Sequence, residues 1–281
     1  MKGTGIKGKI RKATARIKQA REMATNAGNE LVVAYSGGKD SDVLLDIAVR
    51  SGIPIRVEHN LSTVDAPETI YHVQETFYRL ESLGIPCKIN RPDITMWQLI
   101  PKKLIPPTRR ARYCCAHFKE RRFENQHLLL GIRWAESPKR RERGAHELLD
   151  AKKESRVVYT DENDKKRKLV EICGLRGHVA TNPIIDWTTD EIWEYIRETK
   201  IKPNPLYERG CKRVGCIGCP MAGKARGADF ERYPKYKAAY IRAFDRMLEA
   251  KRESHRRRGK EFTPDEKWST GAGVFDWWIS S

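Results

Sequence analysis

Two groups of residues in this 281-residue chain have types and spacing that could do chemistry. The first is Ser36-Gly37-Gly38-Lys39-Asp40-Ser41, directly after the apolar run Leu31-Val32-Val33-Ala34-Tyr35 and before a helical pattern at 41–51. Two glycines permit a sharp turn that exposes backbone N–H donors at a helix N-terminus, where the helix dipole also favours an anion. Ser36, Lys39 and Ser41 add side-chain donors, Lys39 suits charge developing on a leaving phosphate, and Asp40 suits metal binding or loop shaping. This is not a Walker loop: the first glycine of that motif would fall at Val33, and Asp40 stands where a magnesium-binding Ser or Thr belongs. The second group is thiol-based, Cys114-Cys115 and Cys216-x-x-Cys219. Four thiolates suit zinc or an iron–sulfur cluster, and spacing alone does not separate the two, although adjacent cysteines are uncommon in zinc ribbons. Arg109, Arg110, Arg112, Lys212 and Arg213 flank the pairs and would offset their negative charge. Of the other cysteines, Cys211 reads as a bystander, Cys87 as core and Cys173 as a buried thiol.

The elements that must position these residues are legible from the hydrophobic pattern. The run 31–35 reads as a buried parallel strand, with further strands at 55–59, 86–90 and 128–132. Helices are expected at 41–51 and 67–83, and at 189–199 behind the capping residues Thr188 and Thr189. Strands alternating with helices argue a doubly wound α/β parallel sheet with right-handed crossovers. Residues 157–159 and 169–172 read as an inserted hairpin, and 229–257 as a long basic helix interrupted early by Pro234. Residues 1–28 then form a basic N-terminal helix or arm, 29–222 the main domain and 223–281 a basic helical extension.

Composition bounds the function classes. With 39% hydrophobic and 33% charged residues a core is available beneath a heavily charged surface. The formal charge of +18 predicts attraction to polyanions rather than any particular fold. Eight Lys/Arg against one Glu in 1–22, eight against one in 102–122 and six against one in 251–260 make nucleic acid a candidate partner. Trp268, Trp277 and Trp278 could stack on bases, but docking of this tail on the core is the preferred reading. Seven cysteines are too few for a disulfide scaffold, and no apolar run reaches membrane-spanning length or forms a signal-peptide core. A cytoplasmic protein is expected.

The loop SGGKDS in this setting resembles the PP-loop of the ATP pyrophosphatases, and more narrowly the chain resembles the phosphoadenosine phosphosulfate (PAPS) reductase family. Val64-Asp65-Ala66-Pro67-Glu68-Thr69 is similar to that family's PET-type motif, and Gly131-Ile132-Arg133-Trp134-Ala135-Glu136-Ser137 to its G-x-R-x-x-E-S segment. Pro183-Ile184-Ile185-Asp186-Trp187 through Trp193 is similar to its P-I-x-x-W segment. The resemblance implies an adenine-nucleotide α-hydrolase-like fold, with Arg133 near the nucleotide and Glu136, Ser137 and Arg140 near the substrate. Arg112-Tyr113-Cys114-Cys115 with Cys216-Ile217-Gly218-Cys219-Pro220 resembles the ligand set of a [4Fe-4S] cluster in adenosine phosphosulfate (APS) reductases.

Two departures from the reductase pattern shape the functional expectation. No cysteine follows Cys219, where thiosulfonate-forming reductases carry one in a Glu-Cys-Gly context, and the phosphate loop is intact where theirs is degenerate. By resemblance the chain is therefore expected to be an ATP pyrophosphatase akin to those of DNA phosphorothioation (Dnd- and Ssp-type). It would bind ATP with Mg²⁺, release pyrophosphate and activate a nucleic acid, DNA before tRNA, for sulfur from a cysteine desulfurase. Arg109 and Arg112 would meet that substrate. The alternatives are an APS/PAPS reductase that releases sulfite using an external thiol, and a non-catalytic, nucleotide-gated nucleic-acid binder.

Overall fold

The apolar run at 31–35 does form a buried strand, β1 (Glu30–Ala34), and the other strands assemble beside it. A computed structural model describes residues 5–119, 126–149, 157–158, 179–262 and 268–280. It divides the chain into two compact units: residues 1–59, 68–89 and 122–214 in the first, and 60–67, 90–121 and 215–281 in the second.

The first unit is built on the sheet. With β2 (Arg56–Asn60), β3 (Cys87–Asn90), β4 (Gln126–Leu129), β5 (His146–Leu148), β6 (Val157–Val158) and β7 (Val179–Thr181), the strand order is β3-β2-β1-β4-β7-β5-β6. β1 pairs in parallel with β2 and β4, and β4 with β7. β5 runs antiparallel to both β7 and β6, so the expected parallel sheet gains an antiparallel edge. Leu148 lies directly opposite Val179 in that edge. Of the expected hairpin, Val157–Val158 pairs with β5; the remainder, with Cys173, lies outside the described residues. The order reverses between β1 and β4, and at such a switch point the strand ends splay to leave a ligand crevice.

Helices α1 (Ile6–Asn26), α2 (Lys39–Arg50), α3 (Pro67–Ser82) and α7 (Thr189–Thr199) belong to this unit. Their apolar faces, including Val43, Leu44 and Ile47 of α2 and Phe77 and Leu80 of α3, bury with Leu31, Val33 and Leu129 of the sheet. α1 is no free arm. Ala13, Ile17, Ala20 and Ala24 are fully buried at helical spacing, and Arg16 Nη1 meets Asp186 Oδ1 at 2.6 Å, with Lys9 and Lys12 also on Asp186. A capping box starts α7: Thr188 N–H donates to Glu191 Oε2 at 2.7 Å and Glu191 N–H to Thr188 Oγ1 at 3.2 Å.

The second unit is helical. It holds α4 (Met96–Lys103), α5 (Tyr113–Phe118), α8 (Arg226–Arg232), α9 (Pro234–Arg257) and α10 (Gly271–Ser280). The long basic helix of the sequence reading is thus α8 and α9, broken at Tyr233 before the proline that starts α9. Tyr240, Phe244, Phe230, Phe275 and Trp278 form its aromatic core. Trp278 is fully buried and its indole N–H donates to Pro107 O at 2.6 Å, which is the docking expected of this tail. Trp268 and Trp277 remain half-buried and pack on each other, ring centroids 5.1 Å apart.

Candidate functional site

In the first unit β1 delivers the chain into the turn Ser36–Ser41. Gly37 takes φ +71° and sits so close to α3 that an added Cβ would lie 3.0 Å from Val73 Cγ2 and 3.1 Å from Thr69 Cγ2. Glycine is therefore required here for conformation and for space. Ser41 Oγ is the hub of the turn: it accepts from Gly38 N at 3.1 Å and Ser36 N at 3.3 Å, lies 3.1 Å from Ser36 Oγ and donates to Gly38 O at 2.8 Å. Lys39 Nζ pairs with Asp40 Oδ2 at 3.1 Å. The arrangement is a tight anion-receiving turn at the start of α2, with its lysine beside it.

Support comes from segments far away in sequence. Asn204, fully buried, donates through Nδ2 to Gly37 O at 2.8 Å and to Thr69 Oγ1 at 3.1 Å. It turns a carbonyl dipole that would repel phosphate into a bonded anchor. Gly131, just past β4, approaches α2 closely: an added Cβ would stand 3.2 Å from the Asp40 carbonyl and from Ser41 N. Beneath the loop Asp42 Oδ1 accepts from Tyr35 Oη at 2.6 Å and faces His72 Nε2 at 3.0 Å. Burial and that carboxylate push the Tyr35 hydroxyl well above its ordinary range, so it serves as a neutral donor.

Arg133 reaches the loop from beyond β4. Its guanidinium is buried, with Nε 2.8 Å from Asp40 Oδ1 and Nη1 3.2 Å from Trp187 O. It braces Asp40 beside Lys39. Glu136 and Arg140 pair with each other, Glu136 Oε2 also accepts Arg133 N–H at 3.0 Å, and Ser137 Oγ accepts Arg140 N–H at 3.3 Å. The three expected substrate residues thus form one self-bonded turn, 134–141, that ends in the short helix α6 (Pro138–Arg141).

The paired cysteines belong to the second unit. Cys114 and Cys115 occupy the first turn of α5, while Cys216 and Cys219 lie before a 3₁₀ turn at 220–225. Asp65 bridges to Cys216, and Ile217 N–H donates to Val64 O at 2.8 Å. Gly218, at φ +70°, admits Phe230, whose ring would lie 2.4 Å from an added Cβ. All four thiols are free and half-buried, and they interact electrostatically with one another. A bond from Cys114 makes Cys115 the more acidic of that pair, with Arg112 adding to the effect. Burial pushes Cys216 up, opposed by the Lys119 ammonium, whose own pKa Cys216 raises. Arg109 Nε donates to Pro220 O at 3.2 Å, so Arg109 and Arg112 serve the cysteine loops. Among the described residues no three His, Cys, Asp or Glu side chains are drawn together around a single ion.

The loop and the thiols were legible in the sequence and Thr69 only within the PET-type motif, whereas Asn204 acts across a long sequence separation with no local signature. Gly131 was visible only as part of a motif.

A family model for the phosphoadenosine phosphosulfate reductase domain matches residues 30–222. The adenosine 5'-phosphosulfate reductase of Oceanobacillus iheyensis is 23% identical over 197 residues, 68% of this chain and 72% of the relative. That of Staphylococcus epidermidis is 25% identical over 203 residues, 68% and 70% of the two chains. An uncharacterised 37.8 kDa protein of Escherichia phage 186 is 39% identical over 69 residues, 24% of this chain, so the match spans only 20% of that relative. Among solved structures, the PAPS reductase of Candida auris aligns with TM-score 0.43 and 15% identity over 70% of this chain and 87% of its own. The U34-tRNA thiolase of Methanococcus maripaludis, solved with its [4Fe-4S] cluster, aligns with TM-score 0.42 and 13% identity over 85% and 80%. Both structures are too distant for residue roles to carry over. Among the described residues no helix is long and apolar enough to cross a membrane.

Proposed function

The chain belongs to the phosphoadenosine phosphosulfate reductase domain family, and from that premise we propose that it reduces an adenylated sulfate, releasing sulfite and an adenosine phosphate. One observation carries this reading: the matched span 30–222 contains both the phosphate loop and all four paired cysteines, and relatives named APS reductases match 68% of the chain. The substrate phosphate sits over Ser36–Ser41. A thiolate of an external dithiol attacks the sulfonate sulfur, the sulfur–oxygen bond to the phosphate breaks, and the adenosine phosphate leaves. The second thiol then displaces sulfite, so two electrons pass to sulfur and the dithiol becomes a disulfide. Lys39 and the loop N–H groups stabilise the charge that collects on the leaving phosphate. Asp40, braced by Arg133, keeps Lys39 from swinging away.

Cys114, Cys115, Cys216 and Cys219 would hold a [4Fe-4S] cluster. Free thiols with Lys119 and Arg112 beside them suit an anionic all-thiolate centre. Ligands that bind separate irons need not converge on one point, whereas a zinc ion would require its four thiolates about 2.3 Å from a common centre. When bound, the cluster would supply local charge and soft sulfur chemistry.

A specific observation favours a second reading. The loop holds its full donor set, Ser36, Lys39 and Ser41, which suits retention of a pyrophosphate leaving group. In that case ATP with Mg²⁺ adenylates a nucleic-acid oxygen, and sulfur from a desulfurase then displaces the adenylate. One experiment separates the two. Anaerobically purified protein is offered labelled APS or PAPS with dithiol, and in parallel α-labelled ATP with Mg²⁺, with and without DNA or tRNA. Sulfite release with ATP untouched supports the reductase. AMP and pyrophosphate, lost in Lys39→Ala, support the second reading, and inertness toward both substrates refutes each.

A further inference from the structure

The first backbone donor of α2 is already taken. Lys39 N–H donates to Tyr207 Oη at 3.0 Å, and the Lys39 ammonium lies over the same ring, 5.7 Å from its centroid. A phenol oxygen accepting the first N–H of a helix does what a phosphate oxygen does there. The remaining loop chemistry is folded inward in the same way: Ser36 N–H and Gly38 N–H both turn back on Ser41 Oγ.

Tyr207 is held in this position from several sides. Its ring meets Trp193 edge to face at 5.3 Å, and its N–H donates to Asn204 O at 3.1 Å. Asn204 Oδ1 in turn accepts Leu206 N–H at 3.0 Å while Nδ2 grips Gly37 O. The turn 204–207 is thereby pinned to the loop, and the hydroxyl lands on Lys39 N–H as a consequence. Burial, with Asp40 and Asp42 nearby, keeps the phenol neutral despite the Lys39 N–H bond. A charged phosphate oxygen is the stronger acceptor, so it prevails over a neutral hydroxyl, while an uncharged ligand gains nothing by displacing it.

We propose that Tyr207 is an affinity-setting residue of the phosphate loop, its hydroxyl holding a phosphate-oxygen position in the free protein and leaving that position when a phosphate or pyrophosphate group binds. The inference rests on Ser36–Ser41 being the phosphate site. Phosphate binding to this protein must break one hydrogen bond, and Tyr207→Phe removes that bond while keeping the ring against Trp193.

The test uses the full chain and inorganic pyrophosphate, with binding followed by calorimetry. Tyr207→Phe is expected to bind about fivefold more tightly than the unaltered protein, the worth of one net hydrogen bond. In the unaltered protein, the ¹³Cζ-tyrosine resonance that is missing from Tyr207→Phe is expected to move on adding pyrophosphate. A merely structural hydroxyl would give equal or weaker binding in the variant. That result, or a stationary resonance while pyrophosphate binds, overturns the proposal and leaves the loop in place. Pyrophosphate binding that is absent altogether, or unchanged in Lys39→Ala, removes the loop reading and the proposal with it.

Discussion

Lowering the pH from 8 to 5 is expected to cost the fold about 4 kcal/mol through two buried histidines of the sheet. His127 on β4 and His146 on β5 both reach Thr181 Oγ1 on β7, at 2.7 and 2.8 Å, and His146 Nε2 meets Gln19 Oε1 at 3.2 Å. Thr181 has one hydroxyl hydrogen, so the network closes in one way. His146 donates from Nε2 to Gln19 and accepts the threonine proton at Nδ1, while His127 donates from Nε2 to the threonine oxygen. Both rings are neutral in this scheme, and a proton added to either breaks it. Burial accordingly lowers His127 to about 3 and His146 to about 4, with His146 and Arg16 respectively as the neighbouring charges. The unfolded chain takes up these two protons near pH 6.5 and the folded chain does not. Their contribution is therefore complete above that pH, falls as the pH drops through it, and levels off below about 3. At pH 5 each histidine accounts for about 2 kcal/mol. The assay is urea denaturation at both pH values, for the unaltered protein and for His127→Gln with His146→Gln. The unaltered protein should lose about 4 kcal/mol more than the double variant between pH 8 and 5; equal losses would refute the network.

Three further outcomes are expected. Arg16→Ala should destabilise the protein by about 3 kcal/mol in thermal unfolding, because Asp186 loses its buried partner and keeps only Lys9 and Lys12. Gly271→Ala should lower the melting temperature through a loss of about 1–3 kcal/mol, since the new Cβ would stand 2.3 Å from Ile241 O and force α10 off α9; an unchanged melt argues against that contact. Cys115→Ser and Cys219→Ser should each strip iron and visible absorbance from anaerobically purified protein, and full iron content in both variants removes the ligand assignment.

Where local chemistry decided the structure, the sequence was readable. The apolar run Leu31-Val32-Val33 has one way to bury both faces, the glycine pair after it has one good turn to make, and Thr188 with Glu191 marks the start of α7 unaided. Where tertiary partners decided, it was not. The pairing of Arg133 with Asp40 and the Trp187 carbonyl joins residues 40, 133 and 187, which no local pattern connects. The charge of 1–22 masked a structural role: Lys9, Lys12 and Arg16 hold Asp186, and the apolar spacing from Ala13 to Ala24 was too thin among lysines to announce a buried face. The antiparallel edge also left no mark, since three-residue strands carry too little alternation to show their direction.

That antiparallel edge gives the chain a built-in point of growth. Leu148 and Val179 are paired neighbours, so the chain leaves β5 and enters β7 at nearly the same place, with β6 between them in sequence. The entropy of closing such an excursion rises only with the logarithm of its length, about 0.6 kcal/mol for each doubling. A whole foreign domain could be spliced between β5 and β7 with its ends already brought together by the sheet. The phosphate loop, positioned by β1, β4 and the turn at 204–207, would keep its supports while descendants of this chain acquired new attachments there.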